Sequence, residues 1–518
     1  MKKNPLLTGT LVLTLAGLLT RIMGFFYKIY LSNSMTTESL GLYQMIFPVY
    51  GICFTLYASG IQTAISQLVA NSLASTSKTS SHHPKNILRC GMVLSASIAF
   101  LLSFIVFTGS DFIAIRFLME PRCSLSLRIL SVMFPFCGIT ACINGYYYGL
   151  KKTRIPASTQ LLEQVVRIGS VYFLAVYLGN GNKMITCELA AFGIVLGEIA
   201  SDLYSVSSFF LDERHSSKKK KSSHENPPLE KYKVPSPFGK LTALAIPLTA
   251  NRLVISLLHS FEAVLVPFTL QKSGLSTSES LSIYGVLSGM AMPFILFPSA
   301  ITNALAILLL PTISEAQAAG NMKKIQAMGQ LTIKCSLIIG IFATYIFISF
   351  GNALGNVFFH NESAGYFIII LAWLCPFMYL STTFGSIING LGKTHLTFLT
   401  TTVSLGIKIL LLCILIPRQG INGYLISLLA SQLILTLLDY LVIIKMVPLP
   451  IDAVNCIGKP ISILCILGFI FIQLYENLML LQQITPLVLL LNVCLMLCIC
   501  YIGMLFLTKA ISREELTL

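Results

Sequence analysis

Charged side chains set within long apolar stretches are the residues of this sequence best placed to do chemistry. Arg21 and Lys28 lie in the first such stretch, and Asn251, Arg252, His259 and Glu262 lie in the seventh. A charge near a bilayer centre costs about 2.5–3.5 kcal/mol on insertion scales, so it faces a cavity or a partner. Arg21 and Lys28 are two helical turns apart, which puts them on nearly one face and about 10 Å apart along the axis. Such a face suits a path for a large anion, although Lys28, near the outer end, could instead snorkel to the headgroups. Arg252, His259 and Glu262 fall within a quarter turn of the helical wheel and make one polar stripe beside Asn251. There Glu262 could gate the path or tune its field, or simply form a static ion pair.

Further polar residues sit in the other stretches. The second carries Tyr43, Gln44, Tyr57, Ser59, Gln62, Ser66 and Gln67. Their amides and hydroxyls suit sugar or phosphate contacts, with Gln44 and Gln62 as candidate ligands, and they also serve as glue between helices. Glu163 and Arg167 are spaced to pair on one helix, and Glu198 and Asp202 could meet them in a structural network. Lys408 and Asp439 read as a second structural pair. The fourteen cysteines fall mostly in apolar runs and read as small buried residues. His82, His83, His215 and His224 lie in loop sequence, and neither a metal site nor a cofactor is expected; a coupling ion is left open.

The elements that must hold these residues are membrane helices. Hydrophobic residues make up 55% of the 518 and charged residues 11%, with a mean hydropathy of +0.81. So few charges cannot cover a soluble protein of this length. Stretches of spanning length cover 6–31, 39–70, 87–109, 124–149, 157–179, 185–211, 239–270, 280–311, 325–350, 365–390, 395–416, 421–444, 459–475 and 485–507. Pro48 and Pro298 should loosen the long second and eighth stretches. The net charge of +15 could signal nucleic acid, but the cations alternate between loops, so no nucleic-acid partner is expected. Lys2, Lys3, Lys78, Lys85, Arg89, Lys151, Lys152, Arg154, the run from Lys218 to Lys221, Lys323, Lys324, Lys393, Lys445 and Lys509 mark one side. The opposite loops carry chiefly Arg116, Arg122, Lys183, Lys272 and Arg418. The positive-inside rule then puts both termini in the cytoplasm.

The two halves repeat. Thr37-Glu-Ser-Leu-Gly-Leu-Tyr-Gln44 returns as Ser278-Glu-Ser-Leu-Ser-Ile-Tyr-Gly285, an offset of 241 (278 − 37). Ile143-Asn-Gly145 returns as Ile388-Asn-Gly390 at an offset of 245, and Lys152-Thr153 as Lys393-Thr394. Six helices separate equivalent positions, so the repeats run the same way across the membrane. The expectation is an all-α integral membrane protein of about fourteen helices, with two parallel six-helix bundles and a substrate site between them. Its parts are a first bundle (1–211), a basic cytoplasmic linker (212–238), a second bundle (239–446) and two further helices with a cytoplasmic tail (447–518).

Thr20-Arg-Ile-Met-Gly-Phe25 resembles the Arg-x-x-Gly-Phe opening of flippases in the multidrug/oligosaccharidyl-lipid/polysaccharide exporter superfamily. Asn144-Gly-Tyr-Tyr-Tyr-Gly149 and Gln160-Leu-Leu-Glu-Gln-Val-Val-Arg-Ile168 are similar to its stage V sporulation protein B branch. The resemblance covers the whole chain. It implies a non-enzymatic transporter of the bacterial cytoplasmic membrane, expected as a monomer. The implied cargo is an undecaprenyl-diphosphate-linked glycan such as lipid II, for cell wall or spore cortex, moved by alternating access. Where lipid II flippases of that superfamily have an Arg-Asp pair late in the first helix, this chain has Tyr27 and Lys28. Nor does it carry their second-helix arginine between Phe47 and Gly60. Arg21, Lys28 and Arg252 would then hold the diphosphate. The rival readings are a cation-coupled multidrug exporter, which needs unpaired carboxylates in its cavity, and a membrane glycosyltransferase or polymerase, which needs a sizeable outward loop.

Overall fold

All fourteen stretches are helical in the computed structural model, which describes residues 5–74, 84–178, 184–222, 237–449, 452–480 and 485–511. No strand occurs among the described residues. Lys2, Lys3, Lys78, His82, His83, Lys183, His224 and the middle of the 212–238 segment lie outside them. Twelve helices are long and apolar enough to cross a membrane, or up to fourteen if two bent pairs each count as one span. The twelve omit the fifth stretch, Arg154–Leu178, which carries Gln160, Glu163, Gln164 and Arg167. They count the eighth twice, as Thr277–Leu296 and Ser299–Ala318. The single eighth span expected from sequence is therefore broken, at Phe297 and Pro298, where proline removes a backbone donor. Pro48 instead occupies the first turn of Phe47–Phe54, where its missing N–H costs nothing.

Backbone irregularities show the repeat more clearly than the sequence does. The second helix carries a π turn at Thr55–Ser59, and an offset of 241 maps it onto 296–300, the break in the eighth. The fourth stretch bends by 49° between Pro121–Ser131 and Phe134–Gly149. The tenth bends by 52° between Glu362–Leu371 and Leu374–Gly390. Each ends in the same way: Gly149-Leu-Lys-Lys-Thr153 corresponds to Gly390-Leu-Gly-Lys-Thr394 at an offset of 241. The turn needs a left-handed residue, supplied by Lys151 (φ 59°) and Gly392 (φ 76°). This corrects one sequence match: Asn144 stands five residues before its terminal Gly149, whereas Asn389 directly precedes Gly390, so the two asparagines are not equivalent. The register of 241 therefore holds from the second stretch through the end of the fourth.

The chain packs as two units. One comprises Met1–Gly24 and Leu42–Val264, the other Phe25–Gly41 and Leu265–Leu518. In the first unit, Ile61, Ile65, Val69, Ile87, Leu88, Ile143, Tyr147 and Leu241 are among the residues of a buried core. Gly24 belongs here, and a methyl group on it would lie 3.3 Å from the Gln164 amide nitrogen. In the second unit, Phe25 packs on Phe294 and Phe297, with ring centroids 4.9 and 4.4 Å away. Asn33 donates to the Phe358 carbonyl at 2.8 Å. There the short helices Thr37–Met45 and Thr277–Gly285 touch backbone to backbone. A Cβ on Gly285 would sit 2.2 Å from the Thr37 carbonyl oxygen, and one on Gly41 equally close to that of Leu281. Only glycine permits such an approach. The apolar exterior is what lipid demands: Val93, Phe100, Leu101, Phe104 and Ile105 of the third helix are all exposed.

Candidate functional site

In the first unit the seventh helix, Phe238–Lys272, crosses the second at a point made of small residues. A Cβ on Gly60 would lie 2.0 Å from the Thr249 hydroxyl and 3.0 Å from the Ala245 carbonyl. Ser260 donates to the Pro48 carbonyl at 3.1 Å, further along the same pair of helices. Beside the crossing, Arg252 Nη1 donates to both the carbonyl (2.5 Å) and the hydroxyl (2.6 Å) of Ser59. Ser59 closes the π turn, whose widened ring leaves carbonyls free for such partners. Arg252 is therefore partnered, and its exposed guanidinium retains unused donors. Asn251 and His259 are also exposed, and Glu262 is buried. His259 Nδ1 lies 3.7 Å from a Glu262 carboxylate oxygen. Glu262 does not take Arg21 as a partner, although the two correspond at the repeat offset.

Arg21 and Lys28 are exposed, and among the described residues neither side chain has a hydrogen bond or ion pair. Gln44 and Gln62 are half-buried, and no hydrogen bond to either side chain occurs among the described residues.

A second polar group lies in the interior of the first unit. Arg167 contacts Glu163 one turn away and lies 4.0 Å from Glu198. Thr140 donates to the Asp202 carboxylate at 3.2 Å. The expected network among Glu163, Arg167 and Glu198 thus forms, while Asp202 is held by a hydroxyl. Sequence reasoning missed what faces it. Tyr43, Tyr50 and Tyr57 recur every seven residues, and Tyr43 and Tyr50 lie within electrostatic reach of Arg167. Tyr57 stacks on Phe134 with centroids 5.6 Å apart. The seven-residue spacing was the available signal. In the second unit Thr400 donates to Asp439 at 2.7 Å.

Comparison with known proteins bears on this arrangement. Residues 6–317 match the family model described as polysaccharide biosynthesis protein, and residues 264–414 match the MatE model. The chain is 26% identical to stage V sporulation protein B of Bacillus subtilis (strain 168), over 91% of this chain and 89% of that one. It is 23% identical to the lipid II flippase MurJ of the same organism, over 82% and 80%. Among solved structures, lipid II flippase MurJ in an inward closed conformation matches with a TM-score of 0.67 at 14% identity. That match covers 96% of this chain and all of the other. An inward-facing multidrug resistance MATE transporter of the MOP superfamily matches at 0.63 and 14% identity, over 83% and 96%.

Proposed function

The chain belongs to the polysaccharide biosynthesis protein family and is a multi-pass membrane transporter of the flippase superfamily; from that premise we propose that its cargo is an undecaprenyl-diphosphate-linked oligosaccharide. A peptidoglycan precursor such as lipid II is the best fit. The observation that carries this reading is the pair of exposed cations in the first helix, Arg21 and Lys28, neither with a hydrogen bond or ion pair among the described residues. A diphosphate must leave water to cross, and cations in a low-dielectric setting offset that cost through strengthened Coulomb attraction and charge-assisted hydrogen bonds. The unused donors of Arg252 add a fork suited to phosphate oxygens. Gln44 and Gln62, whose side chains have no hydrogen bond among the described residues, are proposed sugar contacts, and Asn251, His259 and Glu262 are proposed to tune or gate the path. Alternating access moves the headgroup while the polyprenyl tail stays in lipid. The charge bias of the loops supports a chain with both termini in the cytoplasm.

The test is flipping of defined lipid-linked sugars in vesicles reconstituted with the purified protein. Transfer of a diphosphate-linked glycan, lost in Arg21→Ala, is the expected result. Export of cationic drugs with no movement of any polyprenyl-diphosphate glycan would overturn the reading in favour of a multidrug exporter.

A further inference from the structure

Two cysteines meet where the fourth and sixth stretches begin. Cys123 ends the short turn Pro121–Cys123, directly before the helix Ser124–Ser131, and Cys187 opens the sixth helix, Cys187–Ser222. Both belong to the first unit. The alternation of loop charge turns both of these helix ends outward: Arg116 and Arg122 lie in the loop before the fourth stretch, and Lys183 in the loop before the sixth.

The contacts gather the two thiols at one spot. Ser126 follows Cys123 by one helical turn, so the two side chains share a face. From that face Ser126 donates to the Cys187 sulfur at 3.2 Å. Cys187 is also the strongest electrostatic neighbour of Cys123, ahead of Glu120, Arg122 and Glu188. Small side chains allow the backbones to come close here. Cys123 and Ser126 are fully buried, as are Ala190 and Ala191, which lie one turn beyond Cys187 on its own face. A disulfide demands such an approach, with Cα atoms about 4.4–6.8 Å apart. Little holds the thiols as they stand. Cys123 reaches the Leu42 carbonyl at 3.9 Å, a weak contact for a poor donor. Cys187, 4% exposed, accepts from Ser126 through a sulfur that is a poor acceptor. Both are free thiols in this structure. The outward side of a bacterial cytoplasmic membrane is a setting in which disulfides form and persist.

We propose that Cys123 and Cys187 are joined by a disulfide on the outward side, formed by exchange with an extracytoplasmic protein disulfide as the chain inserts. The first thiolate attacks the donor's disulfide, and the second displaces the donor from the mixed disulfide. One S–S bond forms between the cysteines and one breaks in the donor. Two protons and two electrons pass to the donor, which leaves as a dithiol. Exchange takes place before the fourth and sixth helices pack, because a buried thiol is shielded from attack. The same burial then protects the bond from reduction. The cross-link spans the fourth and fifth stretches, ties the outer ends of the fourth and sixth together, and constrains the unfolded chain. None of this depends on the identity of the cargo.

The test uses the full-length protein, taken from membranes quenched in acid so that thiols cannot exchange during isolation. Alkylation in denaturant, digestion and mass spectrometry should then yield one peptide pair joined through Cys123 and Cys187, two hydrogens lighter than the separate peptides and released by reductant. Recovery of both cysteines as alkylated thiols overturns the proposal, and so does either one joined to a different cysteine. Thermal unfolding supplies the second readout. Reductant should lower the unfolding temperature of the wild type. Cys187→Ser, which keeps the size of the side chain, should unfold at the temperature of the reduced wild type and lose the response to reductant. An undiminished response in that variant overturns the assignment to this pair. Expression in a host that lacks its extracytoplasmic dithiol oxidant should give the thiol form; a full yield of the bond there overturns the exchange step.

Discussion

Replacing Arg252 by alanine should destabilise the first unit, because the guanidinium ties the seventh helix to the π turn of the second. Two hydrogen bonds, 2.5 Å to the Ser59 carbonyl and 2.6 Å to its hydroxyl, would be lost together. A hydrogen bond to a charged group contributes about 1.5–3 kcal/mol when shielded. Arg252 is exposed, so solvent screening reduces the pair to about 1.5 kcal/mol in all. The Ser59 carbonyl keeps a second donor, the Thr63 hydroxyl at 3.1 Å, which limits the loss further. Ser59→Ala removes the hydroxyl contact alone and should cost about half as much. A double-mutant cycle in detergent, read by thermal unfolding, should give a coupling of about 0.5–1 kcal/mol between the two positions. Arg252→Lys should recover part of the loss, since an ammonium reaches one acceptor but cannot fork. An Arg252→Ala protein within about 0.3 kcal/mol of wild type would refute the tether, because contacting residues couple by more than that. Arg252 would then return to being a free cavity cation whose removal affects transport alone.

Arg21→Ala should abolish glycan flipping while the protein still accumulates and unfolds at the wild-type temperature, since no partner is left behind; a fall in both would point to structural damage. Gly285→Ala should destabilise the second unit by about 1–3 kcal/mol, the range for overpacking, because the new methyl group would meet the Thr37 carbonyl oxygen at 2.2 Å; unchanged thermal unfolding would refute the close crossing. Single cysteines in an otherwise cysteine-free background should react with an impermeant reagent in intact cells at positions 272 and 418 but not at 220; labelling from outside at 220 would invert the topology.

Helix number and placement were legible because a bilayer leaves the backbone few options, and about twenty apolar residues in a row announce a span. The breaks were harder to read. Pro298 was visible, but the π turn at Thr55–Ser59 has no proline, and the matching bends of the fourth and tenth stretches have none at the break itself. These distortions arise from packing between distant segments, which local composition does not encode. The cations of the first helix were legible as cost: a charge with no local counterion must have a setting that tolerates it. What Arg252 binds was not legible, because its partner is a backbone carbonyl exposed only by the π turn. The interior acids were individually visible, but that the Thr140 hydroxyl holds Asp202 depends on how the fourth helix packs against the sixth.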